Sequence, residues 1–211
     1  MNELMLVERV LPLVGVLAFL VIGAGLRPLL HRAWYGSSGI TVVGHRGQRP
    51  SWIERGALVL PVVLLLEAAV ACTPSGYAAL GSLAPASWRG PLAVVGFATM
   101  LAGTVAMFVA QLAMGASWRI GIDRVANPGL VTGGPYRFSR NPIYLCMFVV
   151  LAGFVAALPG WPTIVTFVGT VLGIRLAVAR EEGHLASVYG DAYRAYARRV
   201  GRFLPHVTRS T

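Results

Sequence analysis

Lysine is absent from this chain of 211 residues; all 18 basic residues are arginine. Acids are scarce too, eight in all, and charged residues make up only 12% of the sequence, about half the share of an average soluble domain. With 56% hydrophobic residues gathered into long runs, that scarcity excludes an ordinary soluble domain and points to an integral membrane protein. Arginine to the exclusion of lysine fits a demand for planar, bidentate anion binding, or the codon bias of a GC-rich genome; the second needs no site. Only two cysteines occur, Cys72 and Cys146. They form no CxxC, and the apolar runs place them near opposite membrane faces, which excludes a disulfide between them. No His/Cys cluster has zinc-ligand spacing, so no metal is expected. No GxGxxG follows a strand pattern, and there is no P-loop and no GxSxG. Alternating strands and helices are missing, which excludes a soluble Rossmann domain. Glu3 and Glu8 sit ahead of the first apolar run, where a secretory signal would place positive charge, so that run is expected to be retained rather than cleaved as a signal.

What is present is a set of five apolar segments, each about long enough to span at 1.5 Å per residue. They run from about Val10 to Leu26, Ala57 to Cys72, Pro91 to Met114, Pro142 to Leu158 and Thr163 to Ala179. Leu158-Pro159-Gly160-Trp161-Pro162 is a tight turn by composition and makes the last two an antiparallel hairpin. The net charge of +10 lies between apolar runs, as in cytoplasmic loops of a membrane protein, rather than on one nucleic-acid-binding face. Arg27, Arg32, Arg46, Arg49 and Arg55 fill the first loop, and Arg119, Arg124, Arg137 and Arg140 the third. The second loop has Arg89 alone, and the tail has Arg180, Arg194, Arg198, Arg199, Arg202 and Arg209. The alternation sets the N-terminus outside and the C-terminus in the cytoplasm of a cell, most simply across its inner membrane. The expected fold is all-α and integral to the membrane, with about five transmembrane helices and a C-terminal amphipathic cytoplasmic helix. It forms a single membrane domain over 1–211, with a three-helix part (1–114) and a second part (115–211) of loop, hairpin and terminal helix. The first loop, Arg27 to Arg55, is Gly/Ser/Arg-rich and expected to be irregular. Trp34, Trp52, Trp88, Trp118 and Trp161 fall at segment ends, as an interfacial belt would.

The chemistry-bearing residues lie on the cytoplasmic side of that topology. Asn127-Pro128-Gly129 signals a turn, and Gly133-Gly134-Pro135 lets backbone approach a ligand closely. Asn141 occupies a plausible N-cap before Pro142, at a helix start whose free N–H groups favour negative groups. Tyr136, Arg137, Arg140 and Tyr144 surround it. Glu181-Glu182 follows the fifth segment, where negative charge gains nothing from a helix dipole. Either a bound cation such as a sulfonium explains the pair, or a salt bridge to Arg180 or Arg137 does. Leu185, Val188, Tyr189, Ala192, Tyr193 and Tyr196 recur at helical spacing, with Arg194, Arg198 and Arg199 largely off the stripe. That pattern suits a helix against anionic headgroups, or one packed over the loop. Arg175, inside the fifth segment, either snorkels to the interface or grips a substrate anion. Glu67, deep in the second, reads as structural, partnered by a hydroxyl or an amide such as Gln111.

Leu130 to Tyr136, Arg140-Asn141-Pro142-Ile143-Tyr144, Glu181-Glu182, and Tyr189-Gly190-Asp191-Ala192-Tyr193 through Arg199-Val200 to Phe203-Leu204-Pro205 together resemble the isoprenylcysteine carboxyl methyltransferase and phospholipid methyltransferase superfamily of integral membrane enzymes. The match covers roughly the C-terminal 40% of the chain. The resemblance implies S-adenosylmethionine (SAM) as methyl donor. It would place Leu130 and Val131 against the adenine, Tyr136, Arg140, Asn141, Pro142 and Tyr144 along the cofactor, and Glu181 and Glu182 at its amino acid or ribose end. Arg175 or Arg180 would correspond approximately to a substrate-binding arginine. Isoprenylcysteine enzymes carry Arg-His-Pro where this chain has Arg140-Asn141-Pro142, and asparagine cannot take up a proton near neutral pH; that departure tells against a prenylcysteine substrate.

The expected activity is methyl transfer to a lipophilic substrate at the cytoplasmic membrane face, the acceptor being a carboxylate, a thiol or an amine. A carboxylate would want Arg175 or Arg180 as clamp, and an amine would want Glu181 or Glu182 as base. Partners are then a lipid-like substrate and membrane lipids, without nucleic acid, and nothing in the pattern sets an oligomeric state. Two rivals differ in class. An NADPH-dependent membrane reductase of the sterol-reductase type would need arginines for the 2′-phosphate. A non-enzymatic scaffold or transporter subunit would need a polar path, of which only Glu67, Gln111 and Arg175 are candidates.

Overall fold

A computed structural model of the chain describes residues 3–40, 52–118 and 129–205. Arg46, Arg49, Arg119, Arg124, Asn127, Pro128 and Arg209 lie outside these, as do the side chains of Trp52 and Arg55. Among the described residues there is no strand. The helices are α1 (Glu3–Phe19), α2 (Arg27–Tyr35), α3 (Trp52–Ala71), α4 (Pro74–Leu80), α5 (Ala86–Ala113), α6 (Pro142–Ala157) and α7 (Trp161–Arg199). Short 3₁₀ turns cover Gly115–Ser117 and Gly134–Arg137.

A π-helical segment, Leu20–Leu26, joins α1 to α2 with helical backbone at both junctions, so one rod runs to Tyr35. This corrects the expectation of an irregular loop from Arg27. Two polar residues of that stretch are buried, Arg27 fully and His31 nearly so, whereas Arg32 is exposed. A π segment leaves carbonyls displaced from the α ladder, and one of them, Gly23 O, accepts a hydrogen bond from Gln111 Nε2 at 3.3 Å. Gln111 is therefore not the partner of Glu67. That partner is a hydroxyl: Thr166 Oγ1 donates to Glu67 Oε1 at 2.7 Å, tying α3 to α7 within the apolar region.

Among the described residues, three helices are long and apolar enough to cross a membrane, within Val7–Tyr35, Ala86–Ala113 and Trp161–Arg199; Leu58–Ala71 and Pro142–Ala157 are shorter apolar helices. The principal seam is antiparallel α5 against α6, where Gly96 meets Gly153 and Ala157, and Gly103 meets Val150 and Cys146. Small residues let the backbones touch, which is how helices associate where lipid is as apolar as leucine. The expected hairpin of α6 and α7 forms in connectivity, but α6 packs chiefly on α5. Val16, Leu64, Met100, Met107, Val150, Leu151 and Phe154 fill the centre. α7 is peripheral, with Val165, Val168, Leu172 and Leu176 outward on its apolar half.

Two elements depart from the expected boundaries. Thr73 accepts from Gly76 N at 3.0 Å and starts the short helix α4, a cap followed by proline that the apolar pattern did not separate. The break before the tail falls later than expected: helix continues from the fifth segment through Glu181-Glu182, and two helical stretches of α7 meet across a kink at Gly190 (φ 53°, ψ −124°), a conformation open to glycine. Trp34, Trp88 and Trp161 are exposed as a belt requires, whereas Trp118 is buried. Cys72 and Cys146 are both free thiols.

Candidate active site

The loop before α6 and the far end of α7 are separated by some forty residues in sequence and meet in space. Arg140 Nε donates to Glu182 Oε1 at 2.9 Å, and both side chains are nearly buried, 13% and 11% exposed. The other carboxylate oxygen, Oε2, takes Arg202 Nη2 at 2.7 Å and Nε at 2.9 Å. Glu182 is thus held by two arginines, and neither is the Arg180 or Arg137 expected from proximity in sequence. α7 brings its own later residues back: after the bend at Gly190 the chain turns under the loop, so Arg202 approaches a glutamate twenty residues earlier.

The same return laces backbone to backbone. Arg140 Nη1 donates to the carbonyls of Ala197 (2.8 Å) and Val200 (3.1 Å), and Arg140 N donates to Gly201 O at 2.9 Å. Asn141 sits at the N-cap position, but its side chain caps nothing. Its Nδ2 donates instead to Arg202 O at 3.0 Å and to Glu182 Oε1 at 3.4 Å. The cap expectation fails because a tertiary carbonyl competes for the amide. Ser139 Oγ takes the turn role, accepting from Asn141 N at 3.1 Å. Tyr196 Oη donates to Tyr136 O at 2.6 Å. Removing that hydroxyl strands a buried carbonyl, so Tyr196→Phe should lower stability by about 1–2 kcal/mol, read as the unfolding midpoint in detergent.

Tyr193, Tyr196 and Val200 form a small core of their own, with Leu130, Leu185 and Tyr189 against it. The helical stripe read in the tail is therefore real on that side, although Val188 and Ala192 face outward. Leu130 is part of this second core, while Val131 beside it is half-buried. Pro142 is buried at the first turn of α6.

Glu181 is exposed where its neighbour Glu182 is buried. Its carboxylate acts electrostatically on the phenols of both Tyr136 and Tyr144. Burial first, and Glu181 second, push the Tyr136 phenol far above the usual tyrosine range, so it remains a neutral donor. Tyr193 Oη is buried without a hydrogen-bond partner and lies in the field of Glu182 and Arg140. The Tyr193 ring packs edge-on to Tyr196, and an idle buried hydroxyl is a group that an added polar molecule would satisfy. Arg180 is exposed next to Glu181; Arg175 is exposed on α7 between the outward Leu172 and Leu176, about 9 Å before Glu181 along the helix.

Structure thus assembles Tyr136, Arg140, Asn141, Tyr144, Glu181 and Glu182 in one region, with Arg175 set apart. Two participants were missed from sequence, Tyr193 and Arg202. Tyr193 was visible as part of the apolar stripe, but its idle hydroxyl was not. Arg202 carried no local signal, since its partner is defined only by the bend at Gly190.

Comparison with known proteins bears on what this region is. Residues 91–192 match the model of the phospholipid methyltransferase family. The nickel-cobalt-cadmium resistance protein NccN of Alcaligenes xylosoxydans xylosoxydans is 35% identical over 80 residues, which is 37% of this chain and 37% of that protein. The chain thus spans little more than a third of the length of the curated relative that it matches. No solved structure matches. The family match begins early in α5, takes in the whole α5–α6 seam and the loop, and ends just past the bend of α7. The chain is a helical integral membrane protein, and its residues 91–192, just under half of it, are similar to the phospholipid methyltransferase family, which lies within the wider superfamily of isoprenylcysteine carboxyl and phospholipid methyltransferases.

Proposed function

We propose that this protein transfers a methyl group from SAM to a lipophilic acceptor at the cytoplasmic face of the membrane, with the loop 130–144 and the Glu181-Glu182 turn of α7 as the two walls of the donor site. The observation that carries the reading is the meeting of those walls, through Arg140 and Glu182 at 2.9 Å and through the shared field of Glu181 on Tyr136 and Tyr144.

Arg140, Glu182 and Asn141 are engaged with one another and with the chain's return, so they shape the walls. Glu181, whose charge reaches the phenols of Tyr136 and Tyr144, holds the donor's charged end together with them, and Leu130, Val131 and Pro142 are apolar walls. SAM supplies an alkyl group already activated as a sulfonium. The chain's contribution is therefore alignment, which can account for about 7–11 kcal/mol of a barrier at best. Glu181 favours positive charge by its own, and two neutral phenols line the path without competing for the methyl group. Arg180, beside Glu181, is the first candidate to orient an acidic acceptor; Arg175, outward on α7, suits a charge reaching back to the interface.

The cytoplasmic placement rests on the arginine alternation, and the apolar outer face of α7 suits entry of the acceptor from the bilayer. Calorimetry with SAM in detergent tests the donor site. Glu181→Ala and Tyr144→Phe should each weaken binding, by about ten-fold or more for the lost charge. Unchanged affinity in both would refute these roles. Stabilisation by NADPH and not by SAM would favour a reductase instead.

A further inference from the structure

Arg27 is the largest fully buried side chain of the protein, and the methyl-transfer site makes no use of it. It follows the π segment directly, at the level where the end of α5 passes into the loop region: Gly115 O accepts its Nη2 at 2.9 Å, and Gly134 of the loop stands against Ala113 two residues earlier. The guanidinium carbon lies over the Trp118 ring, 4.8 Å from its centroid. Nε and Nη1 have no hydrogen-bond partner, and among the described residues no carboxylate pairs with it. His31, one turn on, turns Nδ1 to Ser37 O (2.7 Å) and Nε2 to Ala116 O (3.4 Å), so it offers Arg27 no acceptor.

An arginine cannot discharge itself by losing a proton. Enclosed in an apolar helix pair with idle N–H groups, it carries a cost of several kcal/mol that an anion would relieve. The Trp118 ring stands against the guanidinium carbon, and the idle Nε and Nη1 donors lie in the guanidinium plane, where a carboxylate or phosphate oxygen binds. The side chain has no exposed surface, whereas Leu26 and Leu29 beside it face outward, Leu29 at 67% exposure. Water therefore has no open route to the guanidinium, and the neighbouring surface is suited to an acyl chain.

We propose that Arg27, with Trp118 as its wall, is a seat for an oxyanion borne on an apolar tail, a phosphodiester or a carboxylate, distinct from the methyl donor's site. The claim requires the membrane fold but not methyl transfer. Occupying the seat moves the Trp118 ring, which is the side chain that closes it, so tryptophan emission reports binding.

The test titrates the purified full chain in uncharged detergent with dioleoylphosphatidylglycerol, oleate, dioleoylglycerol and inorganic phosphate, following emission and the unfolding midpoint. The phospholipid and oleate should shift both, and dioleoylglycerol should not. The emission change should vanish in Trp118→Phe, and apparent binding should fall about ten-fold or more in Arg27→Gln, the scale of one lost charge-assisted contact. Equal responses to dioleoylglycerol and the phospholipid in the unsubstituted protein would overturn the proposal whether or not Arg27→Gln folds. Unaltered lipid affinity in a folded Arg27→Gln would do the same. A full response to inorganic phosphate would overturn the lipid-borne source and leave a soluble anion at the seat. Loss of SAM binding in calorimetry, with these lipid responses intact, would sink the donor site alone.

Discussion

Glu182→Ala should be among the most damaging single changes in this protein, lowering its stability by about 3–5 kcal/mol, the usual cost of removing one partner from a buried ion pair. The reason lies in what is left behind. Arg140 is 13% exposed and would keep its charge with Nε facing nothing, while Arg202 would lose its anchor altogether. Because Arg140 also holds the carbonyls of Ala197 and Val200, its displacement would loosen the return of the chain beneath the loop. SAM binding should be lost with it, even if the proposed donor contacts run through Glu181. Two controls separate the charge from the shape. Glu182→Gln keeps an acceptor for Arg140 but turns the charge off, and should fall between alanine and the unaltered protein. Arg202→Ala removes a half-exposed partner and leaves Arg140 and Glu182 paired, so it should cost about 1 kcal/mol or less. Chemical or thermal unfolding in detergent measures all three. A Glu182→Ala protein as stable as Arg202→Ala would show that the clamp holds nothing.

A bulky residue at Gly96 should be comparably severe for a different reason. The α5–α6 seam is a contact of backbones, and a Cβ at Gly96 would strike Gly153 O and the backbone of Ala157. From the other side, a Cβ at Gly153 would sit 2.7 Å from Gly96 O and 2.8 Å from Met100 N. Neither neighbour is a flexible side-chain end that could swing away, so the helices must separate. Gly96→Leu should destabilise by about 3 kcal/mol or more, at the upper end of overpacking. Gly169→Leu is the matched control, since open space surrounds that glycine on α7, and it should change stability by about 0.5 kcal/mol or less. Because α5 also positions the loop through Ala113 and Gly115, Gly96→Leu should weaken SAM binding indirectly. Equal stability of the two leucine variants would refute the seam.

Much of this architecture was legible in the sequence because its signals are local. Apolar runs located the membrane helices, close to the ends of α3, α5 and α6 but well short of the ends of the first rod and of α7; the Pro159-Gly160 turn marked the α6–α7 connection, and the clustering of tyrosine, arginine and asparagine around Pro142 marked the loop. Its meeting with Glu181-Glu182 followed from counting spans and arginines, which puts both on one face. What escaped depends on partners distant in the chain. Arg27 and His31 looked like loop residues because arginine and histidine are ordinarily exposed; their enclosure rests on carbonyls 85 to 88 residues later. Asn141 looked like a cap because the competing carbonyl of Arg202 lies 61 residues on. The preference of α6 for α5 did have a local sign, Gly96 and Gly103 seven residues apart on one helical face, but glycine spacing in apolar helices is common enough to pass unweighted.

The π segment between α1 and α2 carries a consequence for how this rod tolerates change. Each turn there holds more residues than an α turn, so Leu20–Leu26 sets the angular phase of everything that follows. Deleting one residue inside it would rotate α2 by about 100° relative to α1. Pro28 would then take the place of Arg27 against Gly115 and Trp118, and Arg27 would be swung to the outward position of Leu26, among the acyl chains. Composition within those seven positions is thus freer than their number: the segment works as a spacer whose length, rather than chemistry, keeps a cation out of the oil.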